Sequence, residues 1–247
     1  MNSMENQRSG FSYEVYKALY LQMRLNKVSV VNNTDKWKVP FSGSLEYSNR
    51  FYGVLSEYMR TNKINIASSE MRLQINLLRL FANNRIRQGK KARVLDVMSY
   101  GEVMCDLGVG GVAIALTDGR TEEMKQYDSE NGINFIKGDV LSSRTWNTLD
   151  RIYPEGGLFD FILCKPDGAL TKIPSKHEIY AYLLGRMYPH LTQDNGILLS
   201  EVNSSYLTSS EFARSQVMLN RVNGISTFTM MGAFMLVKGQ DAPISIN

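Results

Sequence analysis

From Ala92 onward the chain alternates short apolar runs with helix-compatible stretches, and this rhythm restricts the fold more than any other feature. The runs are ARVLDV (92–97), GVAIALTD (111–118), INFIKGD (133–139), LFDFILC (158–164) and GILLSEV (196–202). Between them lie EVMCDLGV, TEEMKQYDSENG, SSRTWNTLDRI and HEIYAYLLGRMYPHL, each suited to a helix. Apolar runs that do not alternate with polar residues belong to strands buried on both faces, so the pattern predicts a parallel sheet with helices on either side. The end departs from it. STFTMM (226–231) and AFMLVKG (233–239) are separated by Gly232 alone, too short for a crossover, so the last strand must run antiparallel to its neighbour.

The first ninety residues have a different character. They carry 14 Lys/Arg against 6 Asp/Glu, whereas residues 91–247 carry 14 against 18, for a net charge of +4. Their periodicity predicts helices over 13–25, 44–59 and 69–81, the last capped by Ser68-Ser69-Glu70. NNRIRQGKK (83–91) reads as a polar linker. The division is therefore a helical extension over 1–90 and a sheet domain over 91–247. A basic front admits an anionic partner such as RNA, although dispersed cations on helix faces are the plainer reading. No run approaches the ~18 apolar residues of a membrane span. MNSMENQRSG has no apolar leader core, and Cys105 and Cys164 make neither a disulfide framework nor a metal-ligand spacing. The expectation is a cytoplasmic protein without a metal or a membrane. Oligomeric state and substrate have no signature here.

In a doubly wound sheet ligands bind beyond the carboxyl ends of the strands. The residues that follow each run are therefore the candidates. The first run closes on Asp96-Val97, followed by Met98-Ser99-Tyr100-Gly101, and the second ends in Asp118, 17 residues past Gly101. A carboxylate at that spacing is placed to accept hydrogen bonds from a ribose diol. Gly138-Asp139 follows the third run, and the fourth leads into Cys164-Lys165-Pro166-Asp167-Gly168.

With VLDV, ALTD, IKGDV, FDFILCKPDG and the later QDNGILLSEV, the stretch from about Arg93 to Gly239 resembles the class I S-adenosylmethionine-dependent methyltransferases. The resemblance implies an α/β, doubly wound, mostly parallel seven-stranded sheet, the Rossmann-like methyltransferase fold, with a terminal antiparallel hairpin and an N-terminal helical extension. It implies S-adenosylmethionine as cofactor. Asp118 would hold the ribose, Asp139 would meet the adenine amine, and Cys164 to Asp167 would face the methyl group and substrate. Asp96, Met98, Tyr100, Gly101 and Gly138 complete the cofactor contacts, and Lys165 and Asp167 are the catalytic candidates.

The chain departs from that pattern in two places. Met98 and Tyr100 stand where the family's first loop has small residues. Asp106-Leu107-Gly108-Val109-Gly110-Gly111 looks more like the glycine signature, but starting there leaves 29 residues from Gly110 to Asp139, too few for the elements required. Starting at Gly101 leaves 38, so Gly108–Gly111 becomes the turn into the second strand. CKPDG also lacks the polar first residue and the aromatic that hold a planar amine in base-methylating enzymes. Lys165, Asp167 and Glu201 match only part of the Lys-Asp-Lys-Glu set that deprotonates a ribose hydroxyl. His177 reads as a surface residue, His190 as packing near a helix end and Cys164 as a small buried residue. Tyr13, Tyr16 and Tyr20 read as a packing stripe. The leading function is a methyltransferase of unspecified substrate, whether small molecule, RNA or protein. A non-catalytic binding or assembly relative comes second and a nicotinamide-dependent oxidoreductase third.

Overall fold

The structure, a computed structural model, describes residues 43–63, 76–154, 159–164, 176–202, 213, 224–230 and 232–239. Three helices come first: α1 (Gly43–Arg50), α2 (Tyr52–Thr61) and α3 (Leu77–Arg87). The alternating part follows as β1 (Arg93–Val97), α4 (Glu102–Leu107), β2 (Gly110–Ala115), α5 (Glu122–Asn131), β3 (Ile133–Lys137), α6 (Ser143–Ile152), β4 (Phe161–Cys164), α7 (Lys176–Met187) and β5 (Gly196–Glu201). The hairpin β6 (Ile225–Met230) and β7 (Ala233–Lys238) closes the chain.

All seven strands lie in one sheet of order β3-β2-β1-β4-β5-β7-β6. Strands β3, β2, β1, β4 and β5 pair in parallel, while β7 is antiparallel to both β5 and β6. This is the Rossmann-like methyltransferase fold that the sequence implies, hairpin included. The short α4 and the placement of Gly108 as its left-handed C-cap, φ 67°, bear out the frame that begins at Asp96. Gly111 allows β2 to close on β1, because a Cβ there would sit 1.9 Å from the Val94 carbonyl oxygen.

Alternate residues of each strand feed two cores. Leu95, Val97, Val112, Ile114, Ile162, Leu198 and Leu236 pack with Trp146 and Leu149 of α6 and Leu183 and Met187 of α7. Val94, Ala113, Leu163, Leu199, Met235 and Val237 face the other way, onto Tyr47, Phe51, Leu55, Tyr58, Leu78 and Phe81 of the N-terminal helices. The described part of the extension therefore shares a core with the sheet, and α2 and α3 cover a sheet face.

Several boundaries differ from the sequence reading for physical reasons. The helix expected over 44–59 is divided at Phe51 (φ −95°, ψ 10°), a buried residue that keeps its helical bonds to Tyr47 and Leu55. Helix α3 starts after Asn76, whose side chain accepts from Arg79 N–H at 3.0 Å, and runs to Arg87, through most of the segment read as a linker. Arg85 makes that continuation favourable. It lies buried with its Nε donating to Asp160 Oδ1 at 2.9 Å, while Asp160 Oδ2 accepts from Arg93 N–H at 3.0 Å. The helix expected over 13–25, the Ser68–Glu70 cap and the stretch LTSSEFARSQVMLNRV (Ala213 apart) lie outside the described residues.

Candidate functional site

Strand β1 and the segments that follow β2 and β3 each bring one of the expected aspartates to the carboxyl edge of the sheet. Asp96 is the fourth residue of β1 and is fully buried, flanked in register by Ala113 of β2 and Leu163 of β4. An ionised carboxyl between two apolar neighbours is costly. Burial accordingly pushes its pKa up to about 7, against the lowering effect of the Ser99 hydroxyl, the Tyr47 phenol and the Gly101 N–H, with Glu102 adding like-charge repulsion. Tyr47 Oη donates to Asp96 Oδ1 at 2.7 Å. Oδ2 is buried and has no hydrogen bond of ordinary geometry among the described residues.

The loop after β1 is wound tightly against β2. The N–H groups of Met98 and Ser99 both donate to the Ile114 carbonyl, at 2.7 and 3.3 Å. Met98 sits at φ 69°, a left-handed conformation that costs a side-chain-bearing residue energy and that clusters at functional sites. Gly101 is at φ 90° as well, and a Cβ there would come 2.9 Å from Met104 Cε. Only the glycine of the loop satisfies both the dihedral and the packing without strain. Tyr100 reaches over to the second strand end. Its hydroxyl is 3.2 Å from Thr117 Oγ1, its ring is 6.4 Å from that of Phe135, and a Cβ on Gly119 would meet its Cζ at 2.7 Å.

The β-ladder ends at Ala115, so Asp118 stands three residues beyond strand β2 in an exposed loop. Arg120 already holds it: Nε and the backbone N–H donate to Oδ1 at 3.0 and 3.2 Å, and Nη2 donates to Oδ2 at 3.0 Å. These hydrogen bonds keep the carboxyl at about 2. The guanidinium lies 3.9 Å over the Phe135 ring, and Nη1 donates to the buried Asp128 at 2.7 Å. A carboxylate offers about four lone-pair sites, so Oδ1 is filled and Oδ2 has one left. A diol placing both hydroxyls on Asp118 must displace one Arg120 contact.

Gly138 and Asp139 belong to the third strand end. Gly138 admits α6 at close range, because a Cβ there would lie 2.4 Å from Thr145 Oγ1. Asp139 Oδ1 accepts from Leu141 N–H at 3.0 Å, and its carbonyl accepts from the Thr145 hydroxyl at 2.7 Å. Its carboxylate thus orders the turn into α6 as well as lying near the edge. Cys164 ends β4 beside Val97 and Ser200, fully buried, and burial pushes its thiol up to about 12. Such a thiol is inert and serves as packing. His190 stacks on Trp146 with ring centroids 6.0 Å apart, and its pKa is lowered chiefly by burial, in keeping with a packing role. Lys165 and Asp167 lie outside the described residues, as do Tyr13, Tyr16, Tyr20 and the side chain of His177.

Sequence reasoning missed Tyr47, Ser99, Thr117, Arg120 and Phe135. The spacing Asp118-Gly119-Arg120 is a local sign of the ion pair. Tyr47 has its sign in Ser44, Tyr47 and Arg50, which recur every third residue on one face of α1. Ser44 N–H donates to Asp106 Oδ2 at 2.7 Å, Tyr47 to Asp96, and Arg50 Nη1 to Glu201 Oε1 at 2.6 Å. Helix α1 is therefore strapped across α4 and the carboxyl ends of β1 and β5. The basic front is also more neutral than its composition: Arg50, Arg60, Arg79, Arg85 and Lys90 pair with Glu201, Glu57, Asp106, Asp160 and Asp194. Among the described residues no group of three or more His, Cys, Asp or Glu is placed to hold a metal ion, and no helix is long and apolar enough to cross a membrane.

No family model and no curated protein matches the chain. Similar solved structures include a methyltransferase from Geobacter sulfurreducens, 14% identical over 85% of this chain and 94% of that one, with a TM-score of 0.38. Another is the 1,6-didemethyltoxoflavin-N1-methyltransferase of Burkholderia thailandensis, 16% identical over 81% and 90% of the two chains, with a TM-score of 0.37. A third, the 16S rRNA N2 G1207 methyltransferase of T. thermophilus, is 15% identical over 66% of this chain and 42% of its own, with a TM-score of 0.36. The fold assignment rests on the strand order and register given above, not on these likenesses.

Proposed function

We propose that the protein is an S-adenosylmethionine-dependent methyltransferase whose cofactor lies across the carboxyl ends of β1, β2 and β3. The observation that carries this reading is the set of three aspartates, one at each of these adjoining parallel strand ends, in a sheet whose β7 is antiparallel. Each residue's state fits an adenosine-type ligand. Asp118 is ionised and exposed, and so offers a ribose an acceptor. Asp139 is the acceptor at the third strand end, and the loop from Met98 to Gly101 forms the wall on the β1 side. When bound, the cofactor supplies a sulfonium methyl for in-line transfer to a positioned nucleophile. Lys165 and Asp167, next in the chain after β4, are the candidates to take up the proton the nucleophile loses.

The second reading, a non-catalytic relative, draws on Tyr100 lying over Gly119 and Arg120 occupying Asp118. The two readings part in a calorimetric titration with S-adenosylhomocysteine. A methyltransferase binds it, and Asp118→Ala weakens binding by about ten- to a hundredfold, the worth of hydrogen bonds to a charged group of about 1.5–3 kcal/mol. Absence of binding to the wild type favours the non-catalytic relative, and equal affinity in the variant removes Asp118 from the site. NAD in place of S-adenosylhomocysteine tests the oxidoreductase, for which the antiparallel β7 has no use.

A further inference from the structure

Tyr47 comes from α1, outside the β1–α4–β2 unit that forms the candidate site, yet its ring is buried and its only hydroxyl is committed to the first aspartate. We propose that Tyr47 is a positioning residue of the cofactor site: its phenol holds the Asp96 carboxylate, and through Asp96 it fixes the loop Met98–Gly101 against which the cofactor lies. This rests on the cofactor reading above.

Three observations support the role. The first is the directionality of the cluster. The phenol donates to Asp96 Oδ1 at 2.7 Å, whereas the Ser99 hydroxyl donates to Glu102 Oε2 at 3.3 Å and the Gly101 N–H to Ser99 Oγ at 3.4 Å, so the phenol is the donor whose geometry commits it to the carboxylate. The second is strain. Met98 is held at φ 69° between two anchors, the Ile114 carbonyl that takes its N–H at 2.7 Å and the Asp96 carboxylate two residues before it. The third is the strap itself. Ser44 and Arg50, one turn to either side of Tyr47, are tied to Asp106 and Glu201, so α1 delivers the phenol at a set height above β1.

The groups facing Asp96 are Tyr47 from α1, Ser99 and Gly101 from the loop, Glu102 from α4 and Cys164 from β4. None is a cation, so the donors alone favour the charged form against burial. With the Asp96 carboxyl titrating at about 7, the loop is pinned above that pH and loosened below it. Removing the phenol takes away one stabilising donor and must raise the pH at which pinning sets in.

The test is the pH profile of S-adenosylhomocysteine affinity between pH 6 and 9, by calorimetry, for wild type, Tyr47→Phe and Asp96→Asn. Phenylalanine keeps the ring and its stacking on Phe51. The expected results are a wild-type affinity that falls below about pH 7, and a Tyr47→Phe profile whose midpoint moves to higher pH with affinity about tenfold lower at pH 7.5. Asp96→Asn should show no step in this range. A Tyr47→Phe profile lowered equally at every pH, or unchanged, or a step that persists in Asp96→Asn, overturns the proposal. Where a variant folds too poorly to titrate, the pH dependence of thermal unfolding of the unliganded protein carries the same comparison. If the wild type binds no S-adenosylhomocysteine at any pH, the cofactor reading fails, and the positioning role fails with it.

Discussion

Two buried aspartates at opposite edges of the sheet have been given opposite environments. Asp160 precedes β4 at the amino edge and is 6% exposed. Its Oδ1 takes Arg85 Nε at 2.9 Å, and its Oδ2 takes the Arg93 N–H at 3.0 Å. Arg85 in turn reaches Asp194, so the C-terminal turn of α3 is clamped to the turn before β5 and to the starts of β1 and β4. Asp96, near the carboxyl end of β1, is buried as fully. Among the described residues it faces no cation, and its Oδ2 lacks an ordinary partner. A charge buried with its partners is a fastening. A charge buried without a cation is a cost, and the fold carries it at the carboxyl edge.

The largest effect should come from breaking the satisfied side. Asp160→Ala leaves the Arg85 guanidinium buried with, among the described residues, only the Asp194 contacts, and it should destabilise the protein by about 3–5 kcal/mol in denaturant unfolding. A loss below about 1 kcal/mol would erase the distinction between the two edges.

The unsatisfied side should respond through pH. The folded pKa of Asp96, about 7, lies above its ordinary 3.8. Between these values the native state holds a proton that the unfolded chain has released, so stability falls as pH rises through the window and is level above it. The ceiling is a few kcal/mol, because each tenfold change in proton affinity is worth about 1.4 kcal/mol. Asp96→Asn should abolish this fall relative to wild type. Parallel stability curves between pH 4 and 7 would show that the carboxyl is not perturbed.

The smallest effect belongs to Tyr100. Its hydroxyl meets Thr117 and its ring covers Gly119, at the partly exposed rim of the site. Tyr100→Gly should leave S-adenosylhomocysteine affinity within about tenfold of wild type, on the improved side, because it clears the approach to Asp118. Lost binding with an unchanged circular dichroism spectrum would make the ring a stacking contact instead.

The sheet was legible in the sequence because its inner strands are buried on both faces. VLDV, VAIA and FILC carry that requirement as apolar runs, and a one-residue link at Gly232 leaves only a hairpin. The edge residues Asp96, Asp118, Gly138 and Asp139 followed from the ends of those runs. What stayed hidden depends on partners far along the chain. The Arg85–Asp160 pair spans 75 residues and the Tyr47–Asp96 bond 49, so no local pattern names the carboxylate that either residue meets. A basic stretch such as NNRIRQGKK reads as a linker until a buried carboxylate is known to face it. Asp118 reads as a strand end, and the spacing Asp118-Gly119-Arg120 marks its ion pair, but the structure sets it three residues past β2 in a loop.

Whether the carboxyl edge of β1 to β3 receives an adenosine-type cofactor is decided by a crystal structure of the protein with S-adenosylhomocysteine. Ligand density should lie across the ends of these strands, with the ribose hydroxyls on Asp118 and at least one Arg120 contact to that carboxylate released. Density elsewhere, or an edge that stays closed by Tyr100 and Arg120 at saturating ligand, would contradict that placement.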